Sequence, residues 1–413
     1  MPALDGIRVI DLTQFEAGTS CTETLAWLGA DVIKIEPPRV GEQGRTASRD
    51  VPDLDSFYFL VLNANKRSVA LNLKSEAGKD LLRRLIEQAD VFVENFAPGA
   101  IERLGFDYDT VRGINDRIIY AQIKGFDPAG PFGTYLSLDP IGQAAGGSVS
   151  ITGYPNRPVR PGALVADTGS GLHLAVGILA ALYQRDRIGT GQRVTVSMQE
   201  AVINYCRVAF TRTLMTGKAS GRYGNAMPVP NAPADMYSCK PGGPNDYVMI
   251  YTSRSPESDH WPKLLDIIGR PDLKREARFA TAEDRAQHAD EVDGLIAAWT
   301  STRTKREAMD TLAQAGVPAS AVFDTLDLFT DAHLRQNGTF AAVDHPDRGT
   351  FYMPGWPVRM SESHVDLVAA PLLGQHTDEV LSQLLKTSSQ ELEALRAEGV
   401  IRSHPGQLAA EAV

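Results

Sequence analysis

An α/β fold built on a mostly parallel sheet is predicted by two observations on this sequence. Short β-branched runs alternate with helical patterns through the first half of the chain. Strands separated by helices lie parallel, covered on both faces. At 413 residues the chain is also too long for one compact core, so two domains are expected.

Each element has a local reason. Residues 7–12 (Ile-Arg-Val-Ile-Asp-Leu) form a buried strand by their β-branched run, 18–28 a helix, and 31–36 (Asp-Val-Ile-Lys-Ile-Glu) the next strand. A strand over 68–73 precedes an amphipathic helix over 76–88, with Leu81, Leu82, Leu85 and Ile86 on one face. A strand over 90–94 leads to a short helix over 98–104 that opens on Pro98, a good first helical residue. A strand over 118–123, a long helix over 167–187, a strand over 192–197 and a helix over 199–216 follow. Residues 221–234 are rich in Pro, Gly and Asn and read as an extended linker. A second unit over 235–333 opens with a hairpin across Lys240-Pro-Gly-Gly-Pro-Asn245 and continues with helices over 261–268, 290–299 and 305–315. Short strands over 349–357 and a charged helical tail over 377–398 close the chain, which has no internal repeat.

Composition removes several function classes. The net charge of -10 argues against nonspecific nucleic-acid binding but leaves a local anion pocket open. No run of about 20 apolar residues suggests a membrane span. The start, Met-Pro-Ala-Leu-Asp-Gly, does not read as a signal peptide. Cys21, Cys206 and Cys239 are scattered without metal or disulfide spacing, so a reducing, cytoplasmic setting is expected. No GxGxxG follows the first strand, so no nicotinamide or flavin is expected. GxSxG, HExxH and the phosphate-loop motif are also absent, and no metal is expected.

Asp167 is the residue that most repays attention. It closes a small-residue loop and opens a long apolar helix. It reads either as an N-cap, whose oxygens accept the first free backbone N–H groups, or as a carboxylate nucleophile. Gly162, Gly169 and Gly171 around it would let a substrate approach the backbone, which favours the second reading. His173 stands about 120° away around the helix and reads as a packing residue. Lys66, Arg67, Lys74, Arg103 and Lys124 recur at strand ends, where they could hold phosphates, and the 95–99 turn could offer free N–H groups to an anion.

Ordered blocks along the chain then carry a resemblance. They are Leu4-Asp-Gly-Ile-Arg-Val-Ile-Asp-Leu12, Leu28-Gly-Ala-Asp-Val-Ile-Lys-Ile-Glu36, Asn65-Lys-Arg-Ser68, Val93-Glu-Asn-Phe-Ala-Pro-Gly99, Asp167 with its helix, Gly191-Gln-Arg-Val194, and Pro371-Leu-Leu-Gly-Gln-His-Thr-Asp-Glu-Val380. Together they resemble the class III CoA-transferase family, most closely its formyl-CoA:oxalate branch. The resemblance implies a Rossmann-like large domain from 1–220 and 334–413, a smaller inserted α+β domain, and an interlocked homodimer. It implies that Asp167 forms acyl anhydride and CoA thioester intermediates while coenzyme A is passed to a small carboxylic acid. It places coenzyme A near Glu16, Ala17, Leu71, Asn72, Leu73, Lys74, Asn95, Phe96, Ala97, Arg103, Leu136, Ser137, Leu138 and Asp139. The sequence departs from that branch at Glu16, where the branch has glutamine, and at Pro37, where it has a basic residue. It also lacks the branch's glycine-rich loop. The alternatives are an α-methylacyl-CoA racemase, which needs a titratable group where Leu138 stands, and a non-catalytic CoA-binding protein.

Overall fold

The computed structural model describes residues 1–227, 230–255 and 257–404. Pro228 and Val229 of the expected linker, Pro256 of the expected small domain, and residues 405–413 of the expected return segment lie outside the described residues.

The contacts divide the chain into two compact units. The first comprises Met1–Ser148, Arg160–Thr211 and the described part of Gln336–Val413. Its sheet holds β1 (Arg8–Asp11), β2 (Asp31–Glu36), β3 (Lys66–Leu71), β4 (Val91–Glu94), β5 (Ile119–Lys124) and β6 (Gln192–Ser197). These run parallel in the order 3-2-1-4-5-6, and the two-residue strand Ile401–Arg402 adds antiparallel to the β3 edge. Such an order reverses direction between β1 and β4, and the crevice at the carboxyl ends there is where doubly wound sheets bind ligands.

The strands form where the β-branched runs predict them, and both ends of β2 and β6 match the expected residues. β3 starts two residues earlier than expected because Lys66 pairs with Val32 in the ladder. Its ammonium is buried at 3.2 Å from Asp11. Burial alone would raise the Asp11 carboxyl, yet Lys34 and Lys66 hold it down at about 2. Helix α1 (Ala17–Trp27) follows β1, and α2 (Glu76–Ile86) buries the expected face of Leu81, Leu82, Leu85 and Ile86 in the sheet core. The expected helix over 199–216 breaks at Cys206 into Met198–Tyr205, a 3-10 turn Arg207–Ala209 and Phe210–Thr216. The tail breaks at Lys386, whose φ of 58° is left-handed, into Thr377–Leu385 and Ser389–Ala397. The strand Gly349–Pro354 pairs antiparallel with Phe340–His345, which carried no sequence signal strong enough to name.

The second unit comprises Val149–Val159 and Arg212–Arg335. Its antiparallel sheet joins Ala234–Ser238, Tyr247–Tyr251 and Ala319–Ala321, with the expected hairpin turn between the first two. Helices His260–Ile267, Ala289–Thr300 and Lys305–Gln314 close its core around Trp261, Leu264, Phe279 and Ile296.

Candidate active site

The carboxyl ends of β1, β4 and β5 meet at the switch point, and one side chain ties two of them together. Asn95, just after β4, accepts from the Gln14 N–H at 2.8 Å and donates to the Gln14 carbonyl at 2.9 Å. A cavity of about 450 Å³ opens there. Ala17, the 95–97 turn, the 136–138 turn and Asp167 all line it. A second cavity of about 320 Å³ shares Gln14, Gln43 and Phe96 with the first. Its walls are apolar side chains such as Leu12, Ile35, Pro37 and Leu104, and the 71–74 turn lines it too. Glu16, Arg103 and Asp139 line neither cavity.

Asp167 is the first residue of α4, which follows α3 (Asp139–Ala145) and runs Asp167–Ile188. It is not the cap of its own helix. That work falls to Asp139, whose Oδ1 accepts from the Ala166 N–H at 3.0 Å and the Asp167 N–H at 3.3 Å. Asp139 Oδ2 accepts from Gln143 Nε2 at 2.6 Å, and Arg160 stands 3.7 Å away. Gly142 lets α3 approach Ala166, since a Cβ there would sit 2.8 Å from that of Ala166. The Asp167 carboxylate is therefore left without a hydrogen-bond donor among the described residues, at the wall of the cavity. Burial pushes its carboxyl up to about 7, helped by the charges of Glu16 and Asp139. A helix N-terminus favours an ionised carboxylate, but partial desolvation and two neighbouring carboxylates outweigh it here.

Glu16 is only 8 % exposed, and Thr168 Oγ1 donates to its Oε1 at 2.6 Å. Burial raises its carboxyl, the Thr168 bond lowers it, and Asp139 raises it again. Tyr58, which the sequence did not single out, completes the group. Burial holds its phenol in the protonated form, reinforced by Glu16, Asp167, Glu42 and Asp139. Its side chain lines neither cavity.

Gly169 and Gly171 have a different purpose from the one expected. A Cβ on Gly169 would meet the Tyr205 ring at 2.4 Å. One on Gly171 would meet the Ala17 carbonyl oxygen at 2.6 Å and Ser20 Cβ at 2.9 Å. Both are helix-packing positions, and Gly171 sets the distance between Ala17 and Asp167. Gly171→Ala should therefore cost roughly 1–3 kcal/mol by overpacking, measured as a lowered midpoint in urea. An unchanged midpoint would count against the close approach. His173 packs as expected: its Nδ1 lies 2.7 Å from the Gly169 carbonyl, and its ring meets Tyr205 edge-on.

Three of the cations noted in the sequence are already committed. Lys66 serves Asp11, Arg67 joins Asp31 and Glu379, and Lys124 lies 2.8 Å from Glu94. The Phe96 N–H is likewise taken, by Glu94 at 2.8 Å. Lys74 and Arg103 are exposed and make no ion pair or side-chain hydrogen bond among the described residues. Arg402 steadies the loop beside Pro37 by donating to the Pro38 carbonyl at 3.3 Å.

Known proteins share this architecture. The family model for CoA-transferase family III matches residues 4–377. The chain is 43% identical over 412 residues to a formyl-CoA:oxalate CoA-transferase of Streptomyces avermitilis, across 97% of this chain and 99% of that one. It is 40% identical over 418 residues to the protein of that name in Bradyrhizobium sp. (strain ORS 278), across 97% of each. The crystal structure of a CAIB/BAIF family protein from Brucella suis superposes with a TM-score of 0.82 at 31% identity, over 92% of this chain and 99% of that one. That of Rv3272 from M. tuberculosis superposes with a TM-score of 0.78 at 29% identity, over the same shares.

Proposed function

We propose, from the premise that this chain belongs to CoA-transferase family III, that its reaction runs through covalent intermediates on Asp167. The enzyme is a CoA-transferase whose substrates are a CoA thioester and a carboxylate. The observation that carries the finer reading is the unpartnered Asp167 carboxylate at the wall of the 450 Å³ cavity, with its helix start capped by Asp139 instead.

In this reading coenzyme A lies across the switch point. The apolar 320 Å³ cavity suits a flat ring, and the free Lys74 and Arg103 suit phosphates. The thioester reaches Asp167 past the 95–97 and 136–138 turns. An Asp167 oxygen attacks the donor carbonyl carbon and CoA thiolate leaves, giving a mixed anhydride. The thiolate then attacks the aspartyl carbonyl and expels the donor acid, leaving an aspartyl-CoA thioester. The acceptor carboxylate attacks that thioester, and the same steps in reverse deliver the new acyl-CoA. Splitting one exchange in this way lowers each barrier. The first-turn N–H groups of α1, whose Ala17 lines the cavity, are donors suited to developing oxyanions. Exposed Val176 and Tyr183 on α4 support burial against a second copy, which fits the interlocked homodimer the family resemblance implies.

Trapping tests the covalent reading. Incubation with formyl-, acetyl-, succinyl- or oxalyl-CoA and hydroxylamine should leave a hydroxamate at Asp167, found by peptide mapping. Demonstrable CoA binding with no adduct from any donor would sink it.

A pH dependence follows. Only ionised Asp167 can attack, and its carboxyl is pushed up to about 7. The ratio kcat/KM should therefore rise about tenfold per pH unit below 7 and level off above it. Glu16→Gln removes one neighbouring anion and should move the midpoint to lower pH. A profile flat from pH 5 to 8 would contradict the assignment.

A further inference from the structure

We infer that the acceptor is a monocarboxylic acid with an otherwise neutral body, and that Glu16 is the residue that refuses a second negative charge. This rests on the CoA-transfer reading above and adds to it a rule for the acid.

The decisive moment is the arrival of the acceptor. Asp167 is then a thioester and carries no charge, so the local field comes from its neighbours. Glu16 is nearly buried and held by Thr168 at 2.6 Å, and Asp139 is fixed at the start of α4. Both are acidic, and both act on the Asp167 carboxyl. The cavity wall has little to offset them. Lys124 is the single cation among its lining residues, and Glu94 takes it at 2.8 Å. Arg160, 3.7 Å from Asp139, offsets part of that charge, which leaves Glu16 as the anion with no ion pair among the described residues. The remaining wall is neutral, with Phe96, Leu136, Leu138 and Met198 prominent.

An acceptor must bring in one carboxylate, because that is the attacking group. A second carboxylate would enter a partly desolvated cavity with no free cation on its wall, with Glu16 and Asp139 just behind the part of the wall formed by Ala17, Leu138 and Asp167. Like charges in such surroundings repel far more strongly than in water. The apolar wall instead rewards a hydrocarbon body. Glu16 is the adjustable member of the pair. A glutamine there keeps a carbonyl oxygen for the Thr168 hydroxyl and removes the charge, whereas Asp139 is tied to the helix start.

The test compares acids of matched length: propionate with malonate, butyrate with succinate, and glyoxylate with oxalate. Each is offered with acetyl-CoA and with formyl-CoA as donor, and the new thioester is followed by chromatography. The wild-type enzyme should favour the monocarboxylate in each pair by about tenfold or more in kcat/KM. Glu16→Gln should shrink that ratio several-fold, chiefly through the dicarboxylate. A wild-type preference for oxalate, malonate or succinate overturns the inference even if Asp167 is trapped as its hydroxamate. A ratio unmoved by Glu16→Gln, in protein with a native melt, overturns the part given to Glu16. The wild-type ratios decide the charge rule even if the variant does not fold. Absence of any new thioester together with absence of trapping defeats the underlying CoA-transfer reading as well.

Discussion

Asp167→Asn lowers the rate of CoA transfer by roughly four orders of magnitude or more, the scale on which losing a nucleophile acts, while the protein becomes more stable. Both effects come from the same placement. The carboxylate has no hydrogen-bond donor among the described residues and sits beside Glu16 and Asp139. An amide of the same shape keeps the start of α4, because Asp139 still accepts from the Ala166 and Asp167 N–H groups. It cannot form the anhydride. The sign of the stability change follows from proton linkage. The folded-state carboxyl is pushed up to about 7, above the roughly 3.9 of an unfolded chain. Below about pH 4 the group is protonated in both states and imposes no penalty. The penalty grows from there to pH 7 and is complete above it. Asp167→Asn should thus raise the melting temperature at pH 8 by roughly 2 °C or more and change it little at pH 4. This is the usual exchange of stability for activity at a functional position. Paired calorimetry and kinetics check it. Full activity with a native melt would remove Asp167 from the chemistry, and a lower melting temperature at pH 8 would show that the carboxylate has a partner after all.

Much of the sheet was legible: β2 is a β-branched run buried along nearly its whole length, and β6, at the sheet edge, alternates apolar and polar residues. Ile401–Arg402 was not, since two residues cannot display a period. The break at Cys206 was hidden for the opposite reason: the sequence on both sides remains helical in pattern, and tertiary placement decides. In the site, Asp167 was legible from its position at a loop–helix junction. Its environment was not. Tyr58, Glu16 and Asp139 reach it from three separate elements, and nothing local to any one of them signals the meeting. Charges misled in a similar way. Lys66 and Lys124 read as ligands because the sequence displays a cation but not its partner: Asp11 lies two strands from Lys66, and Glu94 lies on the strand beside Lys124. The glycines after Asp167 read as room for substrate, whereas their missing side chains admit Tyr205 and Ala17.

The loop that walls both cavities depends on one buried cation, and removing it should be the most damaging single change to the fold outside the sheet core. Arg45 is 2 % exposed. It grips Glu36 through Nε and Nη2, both at 2.7 Å, reaches Asp55 at 2.5 Å and the Pro371 carbonyl at 3.1 Å, and lies over the Phe59 ring. Burial would raise Glu36, yet Arg45 above all, with Lys34 and Ser68, holds it down at about 2. Arg45→Ala leaves Glu36 fully buried without its main counter-charge. Breaking one partner of such a pair costs about 3–5 kcal/mol. Between Glu36 and Arg45 runs the turn carrying Pro37, Gly41 and Gln43, which line the proposed CoA path. The variant should therefore raise KM for the CoA thioester more than it lowers kcat, since Asp167 and its cap stay in place. Arg45→Lys keeps a charge but loses the fork, and should fall between the two. The pH dependence separates this cause from simple loss of packing. A depressed carboxyl contributes stability above about pH 4.3 and loses it as pH falls towards 2. The gap between wild type and Arg45→Ala should hence be widest near neutrality and narrow at pH 3–4, where Glu36 in the variant takes up a proton. A gap that is the same at pH 7 and pH 3.5 in urea unfolding would mean that the stacking on Phe59, and not the charge, is what holds the loop.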